Sequence, residues 1–299
     1  MAVESIEALR VFVQVIDSGG LSAAGRVLGL APTLVSRRIA KLEDDVGVPL
    51  LLRTTRTLRV TDEGRNFYQR CRQILDDLDE AVRAASPNAG ELQGRVRAVL
   101  PTATTAVGIM DGVGELLEKH PGLSLQCSFS DRPVDMVAGG WDVAVHAGSP
   151  KDSTHIVRRL KRVNTQLAAT HDYLARAGIP QRPQDLSSHQ CLRFISDLPQ
   201  DTWRLVHEDG REEVVSVDGR LESDNSATLR DAMNAGLGIG LNTSGTIERA
   251  IDEGRLARVL PEWTMSALDL YMLIPSGRNS VPRVRVFADW LEGFIRSYF

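Results

Sequence analysis

Aromatic residues are scarce, at 5% of a 299-residue chain, so any core must be built from Leu, Val, Ile and Ala. No run reaches the roughly 18 consecutive apolar residues that a membrane-spanning helix needs. The first twenty residues, Met1 to Gly20, carry Glu4, Glu7, Arg10 and Asp17. They lack the uncharged apolar stretch of a secretory signal, and a cytoplasmic protein is expected. Cys71, Cys127 and Cys191 lie far apart with no CxxC or CxxH spacing, so neither a metal site nor a disulfide framework is expected. The simplest expectation is three partly buried thiols, with a redox pair of Cys127 and Cys191 as the alternative.

Enzyme signatures are missing too. There is no GxSxG, no HExxH and no P-loop. The run Gly236-Leu237-Gly238-Ile239-Gly240 follows a helical pattern and precedes an extended one. A dinucleotide-binding fingerprint requires the reverse order. His207 with Glu208 and Asp209 sits beside Gly210 and reads as a polar turn. No catalytic residue, metal or cofactor is expected, and the chain does not read as an enzyme.

What is present is a strong charge asymmetry. The net charge is −4. Between Ser22 and Val60, however, seven basic residues (Arg26, Arg37, Arg38, Lys41, Arg53, Arg56, Arg59) face three acidic ones, Glu43, Asp44 and Asp45, a net +4. The remainder then carries −8. A basic module attached to an acidic domain points to nucleic acid as a partner.

Apolar periodicity resolves that module. Ser5 stands before a helix whose apolar side is Ile6, Leu9, Phe12, Val13 and Ile16, ended by Gly19-Gly20. Ser22 is placed to cap a short helix over Ala23–Leu28. After the turn Gly29-Leu30-Ala31, Pro32 falls on the first position of a third helix, where its missing N–H is harmless. That helix runs to Val46. Strands are expected at Leu50–Leu52 and Leu58–Val60, joined by the polar Arg53-Thr54-Thr55-Arg56, which makes a two-stranded wing. Thr61 caps a long helix from Asp62 to Ala84. Its apolar positions Phe67, Cys71, Ile74, Leu75, Leu78 and Val82 alternate steps of three and four, as in a coiled-coil seam. Phe67, Ile74, Leu75, Leu78 and Val82 are the expected dimer contacts, and packing within its own domain is the alternative. Ser86–Gly90 reads as a linker.

On the third helix, Val35, Ile39, Leu42 and Val46 form one buried stripe. The other face carries Thr33, Ser36, Arg37, Ala40 and Lys41, the small and basic groups that let a helix enter a major groove. Arg37 suits bidentate bonding to guanine, and Arg38, to the side, suits phosphate. A solvated helix surface is the alternative for any one of them. The expected DNA-binding set is Ser22, Pro32, Thr33, Ser36, Arg37, Arg38 and Lys41, with Arg53, Thr55 and Arg56 of the wing on phosphate or in the minor groove.

From Arg95 the pattern becomes strands alternating with helices: strand Val96–Leu100, helix Gly108–His120, strand Leu123–Phe129, short helix Val134–Ala138, strand Trp141–His146. The pattern continues with helix Asp172–Ala177, extended Leu192–Ile195, helix Ser226–Asn234 and extended Ile239–Leu241. This predicts an α/β domain of mostly parallel strands.

Leu21-Ser22-Ala23-Ala24, Leu28, Pro32, Val35-Ser36-Arg37-Arg38-Ile39, Leu42-Glu43, Gly47-Val48-Pro49-Leu50, Arg53-Thr54-Thr55-Arg56, Leu58, Thr61 and Glu63-Gly64 resemble the signature of LysR-type transcriptional regulators, densely over residues 6–66. Ala31 departs from the Ser often found there as N-cap. Weaker resemblance continues through Asp131–Asp135, Trp141–Val145, Tyr173-Leu174 and Gly236–Gly240. The resemblance implies an N-terminal all-α winged helix-turn-helix over 1–60 and a linker and dimerisation helix over 61–86. A hinge over 87–93 and an effector domain over 94–299 follow. The effector domain is expected to resemble periplasmic binding proteins, with lobe one at 94–162 and 268–299 and lobe two at 163–267. The implied crossings lie near Leu160–Gln166 and Thr264–Leu268.

The implied partners are double-stranded promoter DNA, RNA polymerase and a small-molecule effector, a small organic acid or an aromatic compound. Assembly would be a homodimer pairing into a tetramer. The expected effector-binding residues are Thr102, Ala103, Thr104, His146, Phe194, Ile195, Asn225 and Ser226. Capping is the alternative for the threonines and Asn225, and a structural role for His146. His146 stands where relatives commonly have Arg, and His is a weaker, pH-dependent partner for an anion. A solute-binding protein would fit the C-terminal part alone, but not the basic module before it.

Overall fold

The computed structural model describes residues 5–53, 58–84, 92–148, 150, 155–195 and 201–298. The chain divides into two units, Met1–Gly94 with Asp135–Trp141, and Arg95–Val134 with Asp142–Phe299.

In the first unit, α1 (Ile6–Asp17), α2 (Leu21–Leu28) and α3 (Pro32–Val46) precede β1 (Leu51–Arg53), β2 (Leu58–Val60) and α4 (Asp62–Ala84). Leu9, Val11, Phe12 and Val15 of α1 share one core with Val35, Ile39 and Leu42 of α3, Leu50, Leu51, Cys71 and Leu75. The rings of Phe12 and Phe67 stand 5.6 Å apart and tilted. Pro32 opens α3, and Ala31 before it makes no side-chain cap. The α2–α3 turn is tight: the Leu30 N–H reaches the Gly25 carbonyl at 2.8 Å. A Cβ on Gly25 would meet the Leu30 oxygen at 2.6 Å.

β1 and β2 pair antiparallel, Leu51 opposite Val60. Glu43 Oε1 accepts the N–H groups of Leu50 and Leu51 at 2.8 and 2.9 Å, so α3 braces the wing's first strand. Thr61 caps α4, its hydroxyl accepting the Gly64 N–H at 2.9 Å and donating to the Pro49 carbonyl at 2.9 Å.

Three local expectations change. Gly20 is the N-cap of α2, which begins at Leu21, so Ser22 is an exposed residue inside the first turn and not its cap. Ser5 occupies the N-cap of α1 but makes no side-chain cap bond. The apolar stripe of α4 divides: Cys71 and Leu75 are buried in the unit's own core with Phe67 packed against it, while Ile74 and Val82 are 53% and 62% exposed. Intramolecular packing therefore claims Phe67 and Leu75 from the expected dimer seam, because the α1 face across from them is equally apolar.

The second unit is built on a sheet ordered β11-β6-β13-β5-β3-β4. The elements are β3 (Gly94–Leu100), a 3-10 helix Thr102–Val107, α5 (Ile109–Lys119), β4 (Leu123–Phe129), β5 (Val143–Ala147) and β6 (His155–Ala169). There follow α6 (His171–Ala177), β7 (Arg193–Phe194), β8 (Thr202–His207), β9 (Glu212–Ser216), β10 (Glu222–Ser223) and α7 (Ser226–Asn234). β11 (Gly240–Thr243), α8 (Ser244–Asp252), β12 (Ala257–Val259), β13 (Trp263–Pro275) and α9 (Pro282–Tyr298) complete the chain. β6 and β13 feed two cores. Leu160, Val163, Leu270, Met272 and Ile274 join one that includes Val96, Leu100, Val143, Phe287 and Leu291. Leu167, Ala169 and Trp263 join another with Tyr173, Trp203, Leu205 and Ile239. The unit thus has two lobes joined by long strands, and the β13–β6 register shifts between Met265 and Leu268 as they cross.

The expectation of mostly parallel pairing is corrected. β3 and β5 are parallel, as are β7 and β10, but the pairings of β6, β13, β8 and β9 are antiparallel. Two crossing strands of opposite direction impose this on the middle of the sheet. Val134–Ala138 is not a helix. The Asp135 carboxylate accepts the N–H groups of Val137 and Ala138 at 2.9 and 2.8 Å, and that side-chain turn ends at Gly139-Gly140.

One buried ion pair sits under β3: Asp142 receives Arg278 at 2.5 Å and the Arg97 backbone N–H at 2.9 Å. All three cysteines are free thiols. Burial pushes Cys71 and Cys191 up to about 12, and Cys127 upward as well, which starves a Cys127–Cys191 redox pair of thiolate. No described helix is long and apolar enough to cross a membrane.

Two outcomes test this packing. A Cβ on Gly64 would lie 2.1 Å from the Leu50 oxygen, so Gly64→Ala is expected to push the wing off α4. It should lower the unfolding free energy by about 2 kcal/mol, read as a shifted urea midpoint; an unchanged midpoint refutes the close approach. Iodoacetamide at pH 8 should modify Cys71 and Cys191 far more slowly in the native protein than in guanidinium, and equal rates would contradict their burial.

Candidate nucleic-acid interface and effector cleft

Val35, Ile39 and Leu42 are each 0% exposed. Helical spacing then turns Pro32, Thr33, Arg37, Ala40 and Lys41 outward, and all five are exposed. Ser36 is half-buried at the edge of this face. Arg38 is not a free phosphate ligand, because its Nη1 holds Glu7 Oε1 of α1 at 2.9 Å. The pair is surface-exposed enough to exchange with a phosphate, yet sequence reasoning missed Glu7 because the contact joins two helices. Thr55, Arg56 and the side chain of Arg53 lie outside the described residues.

In the second unit the expected effector residues do not all converge. Thr102 is buried, and its hydroxyl lies 2.7 Å from Ser226 Oγ and 3.2 Å from the Ala227 N–H. These contacts join the 3-10 helix of one lobe to the start of α7 in the other. Ala103 is half-buried on the same 3-10 helix. Thr104 turns inward, donating to the Pro101 carbonyl at 2.6 Å. Asn225 caps α7 by accepting the Thr228 N–H at 3.0 Å. Thr104 and Asn225 thus hold their own backbones, as capping residues do.

Phe194 pairs with Ser223 in the β7–β10 register and packs beside Leu192, Leu229 and Met233. Ile195 follows, 41% exposed, with its N–H on the Ser223 carbonyl at 2.9 Å. Register brings both within a few residues of Ser226. His146 lies opposite Tyr271 in the β13–β5 register. Burial lowers its pKa below the ordinary value, so the ring is neutral at neutral pH and offers an anion a dipole, not a charge.

The residue that sequence reasoning left unassigned is Asp131. Its Oδ1 accepts the Thr102 N–H at 2.8 Å, and its Oδ2 accepts the Thr102 hydroxyl at 2.5 Å and the Ser226 N–H at 2.7 Å. Next to it, Arg132 Nε meets Asp224 Oδ2 at 2.9 Å. The available signal was a carboxylate two residues past a strand end, where helix N-termini gather. Among the described residues no cluster of His, Cys, Asp and Glu is arranged to hold a metal ion.

The family described as "Bacterial regulatory helix-turn-helix protein, lysR family" matches residues 6–65, and "LysR substrate binding domain" matches 89–295. The HTH-type transcriptional regulator YhjC of Escherichia coli K12 is 33% identical over 303 residues, 99% of each chain. The full-length Vibrio cholerae virulence activator AphB aligns with a TM-score of 0.60 at 28% identity, covering 97% of this chain and 99% of that one. CrgA, a LysR-type regulator of Neisseria meningitidis, gives 0.62 at 28% identity, covering 98% and 99%. The family is one of transcriptional regulators, not enzymes. The chain belongs to the LysR family, as a DNA-binding transcriptional regulator with an effector-binding substrate domain.

Proposed function

We propose that α3 enters the major groove of promoter DNA, with Arg37 on a base edge and Thr33, Ser36 and Lys41 on neighbouring bases or phosphates. The observation that carries this is the roll of α3: Val35, Ile39 and Leu42 are wholly buried, while Thr33, Arg37 and Lys41 on the other side are exposed. The wing, through Arg53 and Arg56, contributes phosphate contacts. Two copies pair through the outer side of α4, where Ile74, Leu78 and Val82 repeat every four residues, and the dimers pair again into a tetramer. The regulator works in the cytoplasm, where the bound assembly can contact RNA polymerase.

In the substrate domain the ligand is a small acid or aromatic compound held between the lobes near Thr102, Phe194 and Ser226. Its binding shifts the balance between two assembly states in proportion to its differential affinity for them. Thr102 and Ser226 belong to different lobes yet lie within hydrogen-bonding distance, which supports a site at that seam.

Gel retardation with the chain's own upstream DNA tests the reading. Wild type should bind at moderate salt. Arg37→Ala should weaken binding about tenfold to a hundredfold and relax preference at one base position. Arg53→Ala should weaken binding on every sequence and lower the salt slope by about 1. No binding by wild type removes the function; equal effects of the two variants on sequence preference remove the division of roles.

A further inference from the structure

The donors that an acidic ligand would need at the lobe seam are already taken by the chain itself. Asp131 lies beyond β4, in the lobe that holds Thr102, and Ser226 opens α7 in the other lobe. One carboxylate therefore accepts from both: the Thr102 N–H and hydroxyl on its own side, and the Ser226 N–H across the seam. The Thr102 hydroxyl donates to Asp131 and in turn accepts the Ala227 N–H at 3.2 Å, with Ser226 Oγ at 2.7 Å. The neighbouring pair Arg132–Asp224 spans the same seam at 2.9 Å, and Arg230 Nη1 reaches Thr105 Oγ1 at 3.5 Å. Charge-assisted bonds are the strongest of these, and three of them, two from backbone N–H groups and one from a hydroxyl, converge on one side chain.

We infer that Asp131 is an internal latch: its carboxylate holds the two lobes together in the unliganded regulator and decides whether an acidic effector can enter. The inference rests on the proposed effector site at this seam. An external carboxylate has to displace a tethered one, whose effective concentration is set by the fold and not by the medium. Simple acids offering only a carboxylate fail in that exchange. An acid with an apolar body, able to add contact with Phe194 and Ile195, has energy in reserve for it. The charged group at the seam therefore acts as a threshold as well as a clasp.

The experiment uses the full chain with spin labels on Met110→Cys of α5 and Ile179→Cys after α6, positions 47% and 61% exposed on opposite lobes. Electron–electron distance measurements are made without ligand in the Asp131 wild type, Asp131→Ala and Asp131→Asn backgrounds. With labelled chains diluted into unlabelled ones so that only the distance within a chain is read, the latch predicts a single short distance with Asp131 and a longer, broader distribution with Ala. Asn keeps the shape but loses the charge, and should fall between them; it also serves if the Ala variant does not fold. Unchanged distances in both variants overturn the latch. Benzoate binding to the same proteins, by calorimetry, separates the two levels of the argument. If the open form is a minor state of wild type, Asp131→Ala should bind benzoate at least about tenfold more tightly. Opened lobes with no gain in benzoate binding leave the latch standing and remove the acid-effector reading beneath it.

Discussion

The burial of Val35, Ile39 and Leu42 against α1 fixes the rotation of α3 about its axis, and its exposed basic surface follows from it. Three side chains at full burial contribute roughly 1.5–3 kcal/mol each relative to exposure, more than any single polar contact on the opposite side. A roll of the helix by about half a turn would forfeit that burial and place Arg37 in the core. The exposed set of Thr33, Arg37 and Lys41 is thus held by apolar packing beneath it. The wing depends on the same helix, because Glu43 grips the N–H groups of Leu50 and Leu51 from the C-terminal end of α3. Thr61 and Gly64 then seat α4 against the Leu50 carbonyl. Helix, wing and linker helix are consequently one braced piece.

The substrate domain follows a different logic. Its lobes have separate apolar cores, with β6 and β13 passing from one to the other. Continuous strands make the connection stiff along their length, while the register shift near Met265–Leu268 loosens the pairing at the crossing. The polar seam around Thr102 and Ser226 joins the lobes by side-chain and backbone hydrogen bonds instead of continuous strand. A few hydrogen bonds there have leverage on the angle between lobes that the same bonds inside either core would lack.

Periodicity made most of this legible in the sequence. The helices of the first unit, the wing strands and α4 arise from local patterns: steps of three and four, a proline at the first helical position, a threonine cap. Local pattern also placed β3, α5, β4 and α7. It failed where a side chain chose a partner far along the chain or a competing near one. Ser22 lost the cap of α2 to Gly20 because the backbone turned two residues earlier. Asp135 bonded its own backbone and prevented a helix at Val134–Ala138. Phe67 and Leu75 satisfied the seam rule for α4, yet α1 offered a nearer apolar surface. The parallel-sheet expectation failed because two long antiparallel crossings are invisible to strand-by-strand reading. Arg38 and Asp131 belong to the same class, their partners Glu7 and Ser226 being 31 and 95 residues away.

Asp131 changes what the neighbouring residues mean. Thr102 and Ser226 look, one at a time, like a cradle waiting for a ligand carboxylate. With Asp131 in place, the same groups describe a balanced site: one internal anion, matched by two backbone N–H donors and a hydroxyl. If the proposed effector site lies at this seam, a ligand carboxylate competes there with a tethered one and wins only by what the rest of its structure contributes beyond the shared group.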